Sequence, residues 1–368
     1  MKRKKILITG GHLTPALAFL DALPKEAYEP VFIGRMVEME GDRSLSQEFR
    51  LVTNLGIRFI PLMTGRLTRH FSLRTILALV KIPVGFLQAL WIVAREQPSA
   101  IVSFGGYLAV PIALAGWLAR TPIIVHEQTW VPGLANRFIG TLARRICLTF
   151  EGTDSHFPKK KTVVTGLPLR KELFGRPLKP SFIPNSTLPI IYITGGTTGA
   201  ASMNKLIFAL VPKLTVDYIV IHQTGQRSIE AAQTVKSALP DDAKHRYIPL
   251  AYIDGSDASW ILQHAKLIIG RSGANTVIEL GALAKVAVLI PLPWSGEGEQ
   301  YTNAQFLKEA GSAEIFDQND GKSSELLSCI EGVLISYERY QSHALAVSNT
   351  IARDGATRLV ALLAHIAR

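Results

Sequence analysis

Residues 271–303 read RSGANTVIELGALAKVAVLIPLPWSGEGEQYTN and carry the side chains best placed for chemistry. Small residues at Ser272, Gly273 and Ala274 precede a helical pattern that holds Glu279. A helix opening on small residues offers unbonded N–H groups and the positive end of its dipole to a phosphate. A carboxylate one turn further on accepts hydrogen bonds from two neighbouring ribose hydroxyls. Buried-strand runs flank the helix at 266–270 and 286–292, and Glu299, Gln300 and Asn303 follow in a polar loop. Strand, tight turn, helix, strand and polar loop is the plan of a nucleotide pocket at the carboxyl edge of a parallel sheet.

Such a pocket needs a sheet, and strand-like runs recur along the whole chain. In the first half they fall at 5–9, 30–34, 100–104, 122–126, 145–148 and 162–165. In the second they fall at 188–194, 217–223, 245–250, 266–270, 287–292 and 313–316. Helix-like segments alternate with them, which predicts an α/β protein with parallel sheets. Each half opens with a strand ending in Thr-Gly-Gly, at residues 9–11 and 194–196. At 368 residues the chain is long for one core, so two domains are expected. Pro168, Pro177, Pro180 and Pro184 mark a semi-rigid connection at 166–187. The expected domains are 1–166 and 167–355, with a final helix at 356–368 that either closes the second or crosses back to the first.

Charge is polarised. Residues 1–170 hold 22 Lys/Arg against 11 Asp/Glu, and residues 171–368 hold 18 of each. A basic first half without interleaved aromatics or a nucleic-acid motif points to an anionic membrane surface, not to nucleic acid. The segment 66–95, RLTRHFSLRTILALVKIPVGFLQALWIVAR, fits that reading. Lys81 and Pro83 argue against a membrane-spanning helix. Two readings stand: a pair of buried helices, or an interfacial patch under flanking Arg and Lys. Cys147 and Cys329 form no CxxC pair, which argues against a disulfide framework or a zinc cluster. The basic start runs at once into Gly10-Gly11, so a first strand is expected there and not an export signal.

Six ordered motifs resemble the MurG family, the UDP-N-acetylglucosamine:muramyl-pentapeptide pyrophosphoryl-undecaprenol N-acetylglucosaminyltransferases of peptidoglycan synthesis. They are Gly105-Gly106-Tyr107 with Pro111; His126-Glu127-Gln128 with residues 132–136; Gly166 to Arg170; Gly195 to Ala200 with Asn204; His222 to Gly225; and the 271–303 block. The resemblance implies two Rossmann-like domains in a GT-B glycosyltransferase, with the nucleotide sugar in the C-terminal domain and the lipid acceptor in the N-terminal one. It implies GlcNAc transfer from UDP-GlcNAc to an undecaprenyl-diphosphate-linked muramyl peptide, by an enzyme peripheral to the cytoplasmic face of the membrane. Alternatives are transfer to another lipid such as diacylglycerol, a UDP-GlcNAc 2-epimerase, and a non-catalytic nucleotide-sugar-binding scaffold. No cofactor or metal is expected, since no DxD-type motif lies between strands.

The resemblance also assigns roles. Glu279 would hold the ribose, Ala274, Asn275, Thr276, Val277 and Ile278 would line the same pocket, and Ile253 would meet uracil through its main chain. Thr197 would bond the α-phosphate, or simply cap a helix. Arg170 would offset charge on the leaving diphosphate, against the plainer reading of a surface arginine. Gln300 would read the sugar hydroxyls. His12 would be the base that inverting transfer needs, with helix capping as its plainer alternative. Glu127 is the rival base or an acceptor-orienting group. Thr9, Gly10, Gly11, Thr129 and Asn136 would bind the acceptor. Three departures stand out: a shortened first loop, with strand residues 6–8 running straight into Thr9-Gly10-Gly11-His12; Thr129 in place of Asn; and Leu167 in place of Asn.

Overall fold

Parallel pairing runs through both halves of the chain. The computed structural model describes residues 3–37, 45–63, 65, 73–196, 200–295, 298–319 and 321–367, with the backbone alone for 73–80. One compact unit comprises Met1–Arg170 and Arg353–Arg368, and the other Lys171–Ala352. The first contains strands β1 (Lys4–Thr9), β2 (Tyr28–Gly34), β3 (Arg58–Pro61), β4 (Ala100–Ser103), β5 (Ile123–Glu127), β6 (Arg145–Leu148) and β7 (Thr162–Val164). Their order in the sheet is β3-β2-β1-β4-β5-β6-β7. The second contains β8 (Ile190–Thr194), β9 (Ile219–Gln223), β10 (Tyr247–Leu250), β11 (Ala265–Gly270), β12 (Val286–Leu289) and β13 (Ala313–Ile315), in the order β10-β9-β8-β11-β12-β13.

The central apolar strands, such as β1, β4, β5, β11 and β12, are largely buried on both faces, as parallel strands covered by helices must be. Ile6, Leu7 and Ile8 of β1 are fully buried. Ile6 and Ile8 join a core with Phe19, Phe104, Leu359 and Leu363, and Leu7 joins another with Ile92, Ile112 and Val125. Leu359 and Leu363 belong to the last helix, Gly355–Ile366, which packs in the first unit against the Leu13–Ala22 helix. Lys4 Nζ donates to the Ala367 carbonyl at 2.8 Å and fixes its end. The sequence reading missed β3. This edge strand has four residues, starts on an exposed arginine and ends in proline, so it lacks the apolar run that marks the others.

Among the described residues of segment 66–95 a single helix stands where one of the two readings had a pair of buried helices. Residues 66–72 lie outside those described, and a single 24-residue helix, Leu73–Glu96, follows with Pro83 inside it. Proline removes one helical hydrogen bond, yet Ala89, Ile92 and Val93 still dock that helix into the core. Val84, Leu87 and Trp91 are exposed at helical spacing. No helix among the described residues is long and apolar enough to cross a membrane.

The same helix ends in an ion cluster around the buried Glu96. Glu96 accepts from Lys5 Nζ at 2.9 Å and from both terminal nitrogens of Arg58 at 3.0 and 2.8 Å. These contacts tie the helix to β1 and β3. Desolvation raises the carboxyl pKa, but the bonds and charges of Lys5 and Arg58 together hold it below its ordinary 4.5. Its contribution is therefore present above that value and lost as pH falls through the lowered one. Glu96→Gln is expected to lower stability at neutral pH by about 2 kcal/mol, a loss typical of hydrogen bonds to a charged group. Urea unfolding should show the gap to wild type narrowing under acid. A gap constant with pH would remove the carboxylate's charge from the account.

Candidate functional site

Each sheet has one point where the strand order reverses, and parallel sheets bind ligands at the carboxyl ends of the strands there. In the first sheet the reversal lies between β1 and β4, and in the second between β8 and β11. Both Thr-Gly-Gly turns stand at these points, after β1 and after β8.

In the first unit two glycine turns touch. Gly105 and Gly106 follow β4 with φ of 84° and 79°, a region that suits glycine. A Cβ on Gly11 would lie 2.3 Å from the Gly105 carbonyl oxygen, so only glycine fits at that contact. His12 comes next and opens the Leu13–Ala22 helix with an extended backbone. Its side chain makes no capping hydrogen bond, which removes the capping alternative. Desolvation lowers the His12 pKa to about 4, although the residue keeps partial exposure, so its ring is neutral near pH 7.

Glu127 ends β5 and is almost fully buried. Its Oε1 accepts from the Thr129 N–H and Oγ1, each at 2.9 Å, and its Oε2 accepts from Asn136 Nδ2 at 2.8 Å. Burial pushes the carboxyl upward, against the pull of these bonds. Both oxygens are thus engaged, the arrangement of an orienting carboxylate. Thr129 and Asn136 are buried too, and their side chains hydrogen-bond Glu127. The Asn136 amide also packs beneath Gly105, where a Cβ would come within 2.9 Å of Oδ1. His126 Nε2 donates to the Gly166 carbonyl at 3.0 Å, and desolvation, with a smaller push from His12, lowers its pKa to about 4. Thr9 is buried, and among the described residues its Oγ1 and Asn136 Oδ1 find no partner.

In the second unit β8 and β11 close on each other. A Cβ on Gly270 would sit 2.5 Å from the Thr194 carbonyl oxygen, to which the Arg271 N–H donates at 3.3 Å. Helix Ala274–Ala282 starts directly after Gly273, with no side-chain cap. The Val277 N–H already donates to the Gly273 carbonyl. Open N–H groups therefore belong to Ala274, Asn275 and Thr276. The side chains of Val277 and Ile278 are buried and their N–H groups lie within the helix ladder. Glu279 is on the same helix and largely buried. Ser272 Oγ donates to the Gln300 carbonyl at 2.8 Å and Asn303 Nδ2 to the Ser272 carbonyl at 3.2 Å, joining helix Glu299–Glu309 to this turn. Gln300 Oε1 accepts from the Leu292 N–H at 3.0 Å, which leaves Nε2 as the group with donors for a sugar.

Known proteins decide the family. The chain matches the glycosyltransferase family 28 N-terminal domain over residues 9–148 and the family 28 C-terminal domain over residues 190–359. It is 30% identical to the UDP-N-acetylglucosamine–N-acetylmuramyl-(pentapeptide) pyrophosphoryl-undecaprenol N-acetylglucosamine transferase of Lachnoclostridium phytofermentans, across 99% of both chains. It is 33% identical to the Treponema denticola protein of the same name, across 83% of this chain and 81% of that one. The crystal structure of Acinetobacter baumannii MurG superposes with a TM-score of 0.70 at 26% identity, covering 98% of this chain and 99% of that one. The chain belongs to the MurG family. It is a glycosyltransferase with the two parallel-sheet α/β domains of the GT-B fold.

Against the MurG pattern the departures gain a physical reading. Thr129 replaces an amide yet still bonds Glu127 through both its N–H and its hydroxyl. Leu167 is buried, and its carbonyl lies where a Cβ on Gly355 would come within 2.5 Å, at the start of the last helix. Thr197 lies outside the described residues. Ile253 is buried in the loop between β10 and helix Gly255–His264. Arg170 is the last residue of the first unit before the chain enters the second.

Sequence reasoning assigned no role to three residues around the β8 turn, Gln223, Tyr192 and Arg271. Gln223 Nε2 donates to the Gly196 carbonyl at 3.0 Å, and Tyr192 Oη donates back to Gln223 Oε1 at 3.1 Å. The signal was weak, since Gln223 reads as the end of a buried strand. Arg271, the third, stands at the head of the 271–303 motif.

Proposed function

We propose that the chain transfers GlcNAc from UDP-GlcNAc to the muramyl sugar of undecaprenyl-diphosphate-MurNAc-pentapeptide, converting lipid I to lipid II by a single inverting displacement. The observation that carries this reading is His12: a neutral, partly exposed imidazole, uncommitted as a cap, at the β1/β4 switch point beside two touching glycine turns. The acceptor hydroxyl attacks the anomeric carbon and gives its proton to His12. The bond from that carbon to the diphosphate oxygen breaks, and UDP leaves with the electron pair. Glu127, held by Thr129 and Asn136, orients the acceptor side. Thr9, Gly10 and Gly11 offer main-chain groups to the acceptor diphosphate.

On the donor side the N–H groups of residues 274–276 and the helix dipole take the diphosphate, with Thr197 and Arg170 adding donors. Glu279 accepts from the ribose, Ile253 meets the base, and Gln300 Nε2 donates to the sugar. Docking at the cytoplasmic face of the membrane uses Val84, Leu87 and Trp91, with the Arg95 guanidinium 5.0 Å from the Trp91 ring centre. The excess positive charge of residues 1–170 supports attraction to anionic lipid.

Purified protein with UDP-GlcNAc and a short-chain lipid I analogue should release UDP and form the disaccharide lipid. UDP-ManNAc as product would establish the epimerase instead, and binding without turnover would establish a scaffold. In the same assay Trp91→Glu should lose co-sedimentation with phosphatidylglycerol vesicles and keep turnover on the soluble acceptor. Undiminished co-sedimentation would remove this face from membrane docking.

A further inference from the structure

Arg271 is a buried cation whose bonds all go to neutral groups. Its Nη1 donates to the Ile290 and Pro291 carbonyls at 2.9 and 3.1 Å, and its Nη2 donates to Ser202 Oγ at 3.0 Å. Its Nε has no partner among the described residues, and no carboxylate bonds to it there. Arginine this buried is ordinarily paired with an acid, because an uncompensated charge out of water is costly. Desolvation lowers its pKa to about 10, so the charge persists at neutral pH.

The contacts join three segments. Arg271 itself follows β11 and stands three residues before helix Ala274–Ala282. Ser202 is in the first turn of helix Ala201–Phe208, which follows the Gly195-Gly196 turn. Ile290 and Pro291 begin the loop that leads from β12 to Gln300. One helix N-terminus and the loop that leads to Gln300 thus meet on one guanidinium, and the positive end of the Ala201–Phe208 helix adds to its charge.

We propose that Arg271 is a positioning residue of the donor site, clamping the turn after β8 to the loop after β12 and holding a fixed positive charge that favours the nucleotide's diphosphate. This deepens the donor reading above and rests on it. The unpaired charge is then offset when the dianion binds, which accounts for a buried guanidinium without an acid beside it. A role in packing alone would weaken every nucleoside ligand alike.

Titration calorimetry with UDP and with uridine separates the two. Arg271→Met is expected to weaken UDP by about tenfold or more and uridine by less than about threefold, since only the diphosphate feels the lost charge. Arg271→Lys should recover most of the UDP affinity, and Ser202→Ala should raise the donor KM a few-fold while preserving the preference for UDP over uridine. Equal losses for both ligands in Arg271→Met, or no loss in either, would overturn the assignment. Should that variant fail to fold, an Arg271→Lys protein that loses the UDP preference, or a Ser202→Ala protein with wild-type donor KM, does the same. Wild-type protein that binds no UDP at all would overturn the donor reading itself, a different result from equal losses in a variant.

Discussion

Replacing His12 by alanine is expected to lower kcat by about 10²- to 10⁴-fold, the usual span for a general base. Donor affinity should stay within about twofold, because the proton is transferred only in the transition state. The pH profile sharpens this test. A histidine serves as base only when neutral, and desolvation has lowered the His12 pKa to about 4. The acidic limb of kcat/KM, which reports the free enzyme, should therefore fall near pH 4 and not near the ordinary 6.5. A His12→Ala enzyme that turns over normally would assign the proton elsewhere. An acidic limb near 6.5 in wild type would mean that the ring is more hydrated in solution than its packing implies.

The second large effect is steric. Gly11→Ala places a Cβ 2.3 Å from the Gly105 carbonyl oxygen and 2.8 Å from the Gly106 nitrogen. Both atoms are backbone, so the two turns must separate. Overpacking of this kind costs about 1–3 kcal/mol of stability. Activity should fall further than stability. The turns present His12 and the acceptor-binding main chain, and a displacement of about 1 Å at such a site costs on the order of 10²-fold. Gly133→Ala is the control: nothing lies within 4 Å of its Cβ, and its backbone is extended. Its turnover should match wild type, with any loss of stability confined to the modest cost of alanine at a helix N-cap. A fully active Gly11→Ala enzyme would show that the turns shift without consequence.

Much of the architecture was legible beforehand, and particular residues show why. The runs at residues 5–9 and 266–270 are continuous apolar segments ended by glycine, and strands covered on both faces require that composition. β3 escaped because an edge strand has weaker demands on its residues. Pro83 lies inside a continuous helix, because a helix whose following turns are docked tolerates one lost hydrogen bond. In the donor half, glycine and small residues at 272–274 pointed to an open helix terminus. How far that terminus extends depended on one bond, from the Val277 N–H to the Gly273 carbonyl.

The sequence by itself determined the alternation of strands and helices, the two Thr-Gly-Gly turns, and the side chains available for donor and acceptor chemistry. These follow from local periodicity and from the few residues that a tight turn accepts. Tertiary structure alone decided which turns meet, since Gly11 and Gly105 are distant in sequence and come together only through the pairing of β1 with β4. It decided that Glu127 is enclosed by Thr129 and Asn136, that the last helix returns to the first unit, and that Arg271 bridges Ser202 and Ile290. Burial and hydrogen-bond partners are properties of packing between segments remote along the chain, and residue type does not encode them one position at a time.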